Sequence, residues 1–153
     1  IPAENMLFID DSQKNVEGSI AAGLPAVYYE PGSDLAALLA DALNDKDTSK
    51  VFQMIDNLHN ASCDMERLCS ELISHFRNLM VTKTVKKAEK LIVCAVEELK
   101  KIDEQSQKFT LENILYCLSQ LETTLANIKR GLSGRIETEM AMVSTLTLVS
   151  QVL

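Results

Sequence analysis

Asp64-Met65-Glu66-Arg67-Leu68-Cys69-Ser70-Glu71-Leu72-Ile73-Ser74-His75-Phe76-Arg77-Asn78-Leu79-Met80 is the stretch that decides the fold class of this chain. Its apolar residues are Met65, Leu68, Cys69, Leu72, Ile73, Phe76, Leu79 and Met80. They recur at intervals of three and four, the period of an α-helix with one wide apolar face. Ser62 or Asp64 stands in front of the run as an N-cap, where a side-chain oxygen satisfies the first free backbone N–H groups. A stripe this wide needs other helices to cover it. Phe76 lies at its middle and is expected to be buried against the segment Leu111–Ile128.

The surrounding sequence supplies those helices. All three prolines and three of the five glycines lie in residues 1–43; residues 44–153 hold no proline, and only Gly131 and Gly134. Proline inside a helix costs ~3 kcal/mol and glycine ~1 kcal/mol, so a long stretch avoiding both reads as a string of helices without strands. Val51, Phe52, Ile55 and Leu58 keep the helical period before the deciding stretch. Residues 83–90 are expected to form a basic connector (Lys83, Lys86, Lys87, Lys90), followed by a polar helix from Ala95 to Gln107 with Val96, Leu99 and Ile102 facing inward. Thr110 caps a helix with Leu111, Ile114, Leu118, Leu121, Leu125 and Ile128 at heptad spacing, and Gly131 ends it. Ser133 or Gly134 opens the last helix. Ile136, Met140, Val143 and Thr147 lie on one of its faces, and Met142, Leu146 and Val149 on another.

Residues 1–43 read differently. They carry one Lys and seven acids, while residues 44–153 carry 14 basic and 15 acidic side chains. Met6-Leu7-Phe8-Ile9 suits a buried parallel strand. Ser12 and Gly23 bracket a helix with Val16, Ile20 and Ala21 as its apolar positions, Pro25–Tyr29 is a second strand, and Ser33 or Asp34 starts a helix bearing Leu35, Leu38, Leu39 and Leu43. The order β-α-β-α implies a parallel pair with a helical crossover. The expected fold is therefore mainly α: a helical domain at 44–153, preceded by a short α/β, Rossmann-like segment at 1–43.

Composition bounds the function. With 46% hydrophobic and 24% charged residues the chain is globular rather than disordered. A net charge of −7 disfavours a protein built to grip phosphate backbones, so direct nucleic-acid contact is not expected. The lysines of the connector are read as solvated. No apolar run approaches the ~20 residues of a membrane span. Cys63, Cys69, Cys94 and Cys117 form no C-x-x-C pair, and scattered reduced thiols without a signal peptide point to a cytoplasmic protein. His59 and His75 lie on different helices without an acid–base partner in sequence and are read as structural. Arg67/Glu71 and Glu97/Lys101 have the i,i+4 spacing of solvated helix pairs.

Two resemblances follow from these residues. Leu7-Phe8-Ile9-Asp10-Asp11-Ser12, Asn15-Val16-Glu17-Gly18, Ala22-Gly23 and Ala26-Val27 resemble the last conserved stretch of haloacid-dehalogenase-like hydrolases. That resemblance implies Asp10 as a Mg²⁺ ligand with Asp11 and Asn15 in support. Mg²⁺ favours hard carboxylate oxygens, and strand ends are where open α/β sheets place ligands. That family needs a nucleophilic D-x-D on an earlier strand and then a Ser/Thr and a Lys from later motifs; this sequence starts at the fourth motif and supplies no D-x-D on a strand, so no catalysis is expected. No cofactor is required, and Mg²⁺ at Asp10 is at most weak.

The helical part resembles the third domain of the bacterial DNA polymerase III clamp-loader gamma/tau subunit. The resemblance rests on Asp47–Leu58, on Asp64–Met80 with its His75-Phe76-Arg77-Asn78-Leu79 pentad, on Glu97–Glu112, and on Arg135–Ala141. It implies a helical collar that joins clamp-loader subunits, without an active site of its own. The ATPase module that precedes this domain in the family is not matched: no G-x-x-x-x-G-K-[ST] occurs. A hydrolase-like segment stands there instead, giving the chain the look of a chimera joined near residues 35–44. The expected partners are other clamp-loader subunits or a second copy of the chain. Part of the Leu111–Ile128 heptad and the last helix (Ile136, Met140, Met142, Val143, Leu146 and Val149) are expected to form the contact.

Overall fold

The computed structural model describes residues 8–10, 13–23, 26–28 and 35–151. The elements in order are β1 (Phe8–Asp10), α1 (Gln13–Ala21), β2 (Ala26–Tyr28), α2 (Leu35–Asn44), α3 (Thr48–Asn60), α4 (Met65–Thr84), α5 (Val96–Ser106), α6 (Leu111–Lys129) and α7 (Gly134–Gln151). A single 3-10 turn, Ala88–Lys90, lies between α4 and α5. The chain is mainly helical, and between residues 35 and 151 no strand occurs. The two three-residue strands pair in parallel, with Phe8 opposite Ala26 and Asp10 opposite Tyr28.

Side-chain caps set the helix starts. Asp47 Oδ1 accepts from Lys50 N at 3.0 Å. Asp64 Oδ1 accepts from Glu66 N at 3.0 Å and Arg67 N at 3.3 Å, so Asp64 rather than Ser62 begins the deciding helix. Thr110 Oγ1 accepts from Asn113 N at 3.1 Å. Each bond satisfies a backbone donor that a helix start leaves free, and each such cap is worth ~1 kcal/mol. Gly131, at φ +95°, turns the chain between α6 and α7 where a side chain would be strained.

The core is built around α4. Leu68, Cys69, Leu72, Phe76 and Leu79 are fully buried, against Ile114, Cys117 and Leu121 of α6, Met142 of α7, Val51 and Ile55 of α3, and Leu39 and Leu43 of α2. The Phe76 ring meets Phe109, just before α6, edge-on at 5.7 Å and 73°. Gly134 lies so near the start of α4 that a Cβ there would stand 2.8 Å from Met65 Cβ. A smaller cluster of Val81, Ala88 and Ile92 closes the far end of α4, with Cys94, Leu99 and Ile102 packed on it.

Several expectations need correction. Helix α4 runs to Thr84, so Lys83 is helical, and its Nζ donates to Ser106 O at 3.2 Å rather than belonging to an open connector. Val96 is 79% exposed, not inward. It is the first residue of α5, and the apolar cluster there is filled by Ile92, before the helix, and by Leu99 and Ile102 farther along it. Ile20 is exposed while Val16 on the same helix is buried. The α6 heptad is intramolecular: Ile114 and Leu121 are fully buried, and Leu118, Leu125 and Ile128 pack on the same core. Leu111, at its start, is exposed, and Leu118, Leu125 and Ile128 are half-buried. The boundary drawn after residue 43 does not coincide with a gap in packing, because Ala36, Leu39, Ala40, Ala42 and Leu43 of α2 belong to the core cluster of the helical part.

Candidate functional site

The last helix carries the candidate site. Ser133 Oγ accepts from Ile136 N at 3.4 Å at its start. Inward, Thr138, Ala141, Met142, Thr145 and Leu146 are buried, so α7 closes the core. Two polar ties fix its rotation. On the α3 side, Arg135 reaches Asp56 at 2.7 Å and Glu139 at 3.0 Å. On the α6 side, Asn127 Nδ2 donates to Glu137 Oε2 at 2.9 Å, and Thr124 Oγ1 to Glu137 O at 3.4 Å. Clamped on both flanks, α7 turns its remaining face outward: Ile136 is 55%, Met140 59% and Val143 38% exposed, with Thr147 exposed in the same row.

The six residues expected at a contact therefore divide. Ile136, Met140 and Val143 form one exposed row. Met142 and Leu146 are core, and this removes them from any surface: their side of the helix is the one that α6 and α3 enclose. Val149 lies within α7, and its side chain is outside the described residues. The exposed row advances by four, three and four residues, the spacing at which two helices mesh side chains along a shared seam.

The residues weighed for metal chemistry fall largely outside the described residues. Asp10 ends β1, though its side chain is outside the described residues, and Asp11 is outside them altogether. Asn15 is exposed on α1. Two carboxylates and an amide oxygen are the hard donors Mg²⁺ prefers. Among the described residues no group of three or more His, Cys, Asp or Glu side chains is placed to hold a metal ion.

One polar cluster had no signal in the sequence. His75, buried on α4, hydrogen-bonds through Nε2 to Gln105 Oε1 on α5. Gln105 Nε2 donates to Ala37 O at 3.0 Å and Asp41 Oδ1 at 2.8 Å, both on α2. With both amide hydrogens committed, the Gln105 oxygen can only accept, so His75 Nε2 is the donor. The cluster bolts α2 and α5 onto α4, consistent with a structural histidine. His75 also lines a shallow groove of about 290 Å³ on α4 with Arg67, Ser70, Glu71, Ser74 and Asn78. There the Ser70 hydroxyl donates to Glu66 O at 3.1 Å, and Arg67 pairs with Glu71 at 3.0 Å on the surface. His59 is exposed.

Two of the thiols, Cys69 and Cys117, are buried. Desolvation pushes Cys117 up to about 12 and Cys69 up to about 11, and Cys69 Sγ donates to Leu121 O at 3.4 Å. Cys63 is raised too, by burial first and then by the negative charges of Glu71 and Asp64. No helix among the described residues is long and apolar enough to cross a membrane.

Comparison with curated proteins returns no match. Comparison with family models gives one described as DNA polymerase III subunits gamma and tau domain III, over residues 33–152. That span covers more than three quarters of the sequence and takes in α2 through α7, and the chain belongs to this family.

Proposed function

We propose that this domain is a structural, oligomerising module of the clamp loader in bacterial DNA replication, with no reaction of its own, and that the outer face of α7 is its contact with a neighbouring subunit. The observation that carries the reading is the row Ile136–Met140–Val143, apolar at seam spacing and held outward by ties on both flanks. Removing such a row from water is the main favourable term in helix association. The occupant is a helix of another clamp-loader subunit or of a second copy. The functional unit begins with α2, whose apolar residues share the core, rather than after residue 43. Met140→Glu tests the contact: association should be lost, while unfolding free energy changes by no more than about 0.5 kcal/mol, as for an ordinary surface substitution.

A second reading concerns residues 1–43 alone. Strand β1 ends at Asp10 beside parallel β2, with α1 crossing between them, which favours a fragment of a Mg²⁺-dependent hydrolase joined to the helical part. On that reading Asp10 and Asp11 are weak metal ligands with Asn15 in support. Catalysis is still not expected, since phosphoryl transfer by this route needs an activated carboxylate nucleophile. Mg²⁺-dependent phosphate release that vanishes in Asp10→Ala would overturn the expectation of inactivity.

A further inference from the structure

The groove on α4 has the form of a receptor for a helix. Arg67, Ser70, Glu71 and Ser74 stand at i, i+3, i+4 and i+7, and so do Glu71, Ser74, His75 and Asn78. Four residues so placed frame the hole that takes one side chain of a facing helix, and here two such holes adjoin, with short serines between them. Ile136 and Met140 stand four residues apart on the outer face of α7, a spacing that fits neighbouring holes, and an unbranched methionine adapts to an irregular one. Covering the groove strands few polar groups. Arg67 and Glu71 pair at 3.0 Å, the Ser70 hydroxyl donates to Glu66 O at 3.1 Å, Asn78 Oδ1 accepts from Arg77 Nη1 at 3.2 Å, and His75 is tied to Gln105. Groups already bonded within the chain lose little when water leaves.

Charge identifies the occupant. Beside the groove, the exposed Arg77 meets only neutral acceptors, Asn78 Oδ1 and Leu91 O. Beside the apolar row of α7, the Glu137 carboxylate meets only the neutral amide of Asn127, at 2.9 Å. Among the described residues neither has an ion-pair partner, whereas Arg67 and Arg135 do. A groove edged by an unbalanced cation complements a row edged by an unbalanced anion. The two surfaces do not meet within one molecule, since α4 turns Leu68, Leu72 and Phe76 to the core and its groove to solvent, and α7 likewise presents its row outward. We propose that the α7 row of one copy of this chain seats in the α4 groove of a second copy, head to tail. This rests on the reading of the α7 face as a contact and adds the surface that receives it. Because the two surfaces differ, a pair keeps one of each unused, and association continues past the dimer.

Sedimentation velocity of the full chain at tens of micromolar tests this with Met140→Glu, which spoils the row, with Ser74→Arg, which fills the groove, and with an equal mixture of the two. Ser74 is exposed and arginine favours a helix, so the circular dichroism of Ser74→Arg should match that of the native chain. Each variant alone should associate at least about tenfold more weakly than the native chain. The mixture should form a one-to-one heterodimer and nothing larger, because the intact row of the Ser74→Arg chain meets the intact groove of the Met140→Glu chain. Association that is lost in Met140→Glu but untouched by Ser74→Arg, or a mixture that stays monomeric, overturns the proposal and leaves the α7 contact standing with another counterpart. A native chain that is monomeric throughout overturns the second copy as occupant, and association indifferent to Met140→Glu removes the α7 reading and the proposal together.

Discussion

Phe76→Ala probes the centre of the fold. The ring is fully buried in the middle of α4 and meets Phe109 edge-on at 5.7 Å. Truncation deletes on the order of 100 Å³ of side chain, and at ~24 cal/mol per Å³ an unrelaxed cavity of that size costs ~2.4 kcal/mol. Lost burial of the ring adds ~2 kcal/mol. The edge contact with Phe109 contributes ~0.5–1.5 kcal/mol more. Partial collapse of the site offsets some of this, which leaves about 3–5 kcal/mol. Urea unfolding followed by far-UV circular dichroism reads the change directly, provided the slope with denaturant is unchanged. Phe76→Leu, which keeps most of the volume, should cost less than ~1.5 kcal/mol. A Phe76→Ala effect below ~1 kcal/mol would show that the stripe of α4 is not the core.

Gly134→Ala should destabilise by ~1–3 kcal/mol, because the new methyl meets Met65 Cβ at 2.8 Å and neither helix start can yield without moving its neighbour; thermal unfolding checks it. Alkylation of the native protein should modify Cys63 and Cys94 and leave Cys69 and Cys117 protected until urea unfolds the chain, as read by mass spectrometry. The raised thiols also set a sign for alkaline pH. Above about pH 8.5 the unfolded chain loses thiol protons that folded Cys69 and Cys117 retain, so stability should fall as pH rises beyond that value and level off below it. Denaturant midpoints from pH 7 to pH 10 test this, and a flat profile attributable to these thiols in a Cys69→Ala/Cys117→Ala comparison would contradict it.

The helical part was legible because its signals are local and repeated. Asp64 and Thr110 announce their helices, Gly131 marks a stop, and the three-and-four spacing through Phe76 marks a face that must be covered. Which of two apolar faces on α7 turns inward was not legible. Both have helical spacing, and the choice rests on Arg135–Asp56 and Asn127–Glu137, pairs between distant parts of the chain. Val96 shows the same limit: its period fits the inward side of α5, but as the first residue of the helix it is exposed, and Ile92, outside the helical period, is buried instead. Gln105 gave no signal in a polar helix, and its role as a bolt between α2 and α4 appears only when Asp41 and His75 come together. The place of α2 was obscured by composition, since prolines and glycines precede it while its own leucines and alanines pack with the helices that follow.

Sedimentation equilibrium at tens of micromolar, comparing the native sequence with Met140→Glu and Leu146→Glu, tests the assignment of the α7 outer face most directly. Met140 is 59% exposed and Leu146 is core, so the two substitutions separate surface from interior. The account predicts self-association of the native chain that Met140→Glu weakens without loss of helical signal, whereas Leu146→Glu unfolds or strongly destabilises the domain through a buried charge. A native chain that is monomeric throughout, or one whose association is the same with Met140→Glu, would contradict a self-contact through Ile136, Met140 and Val143.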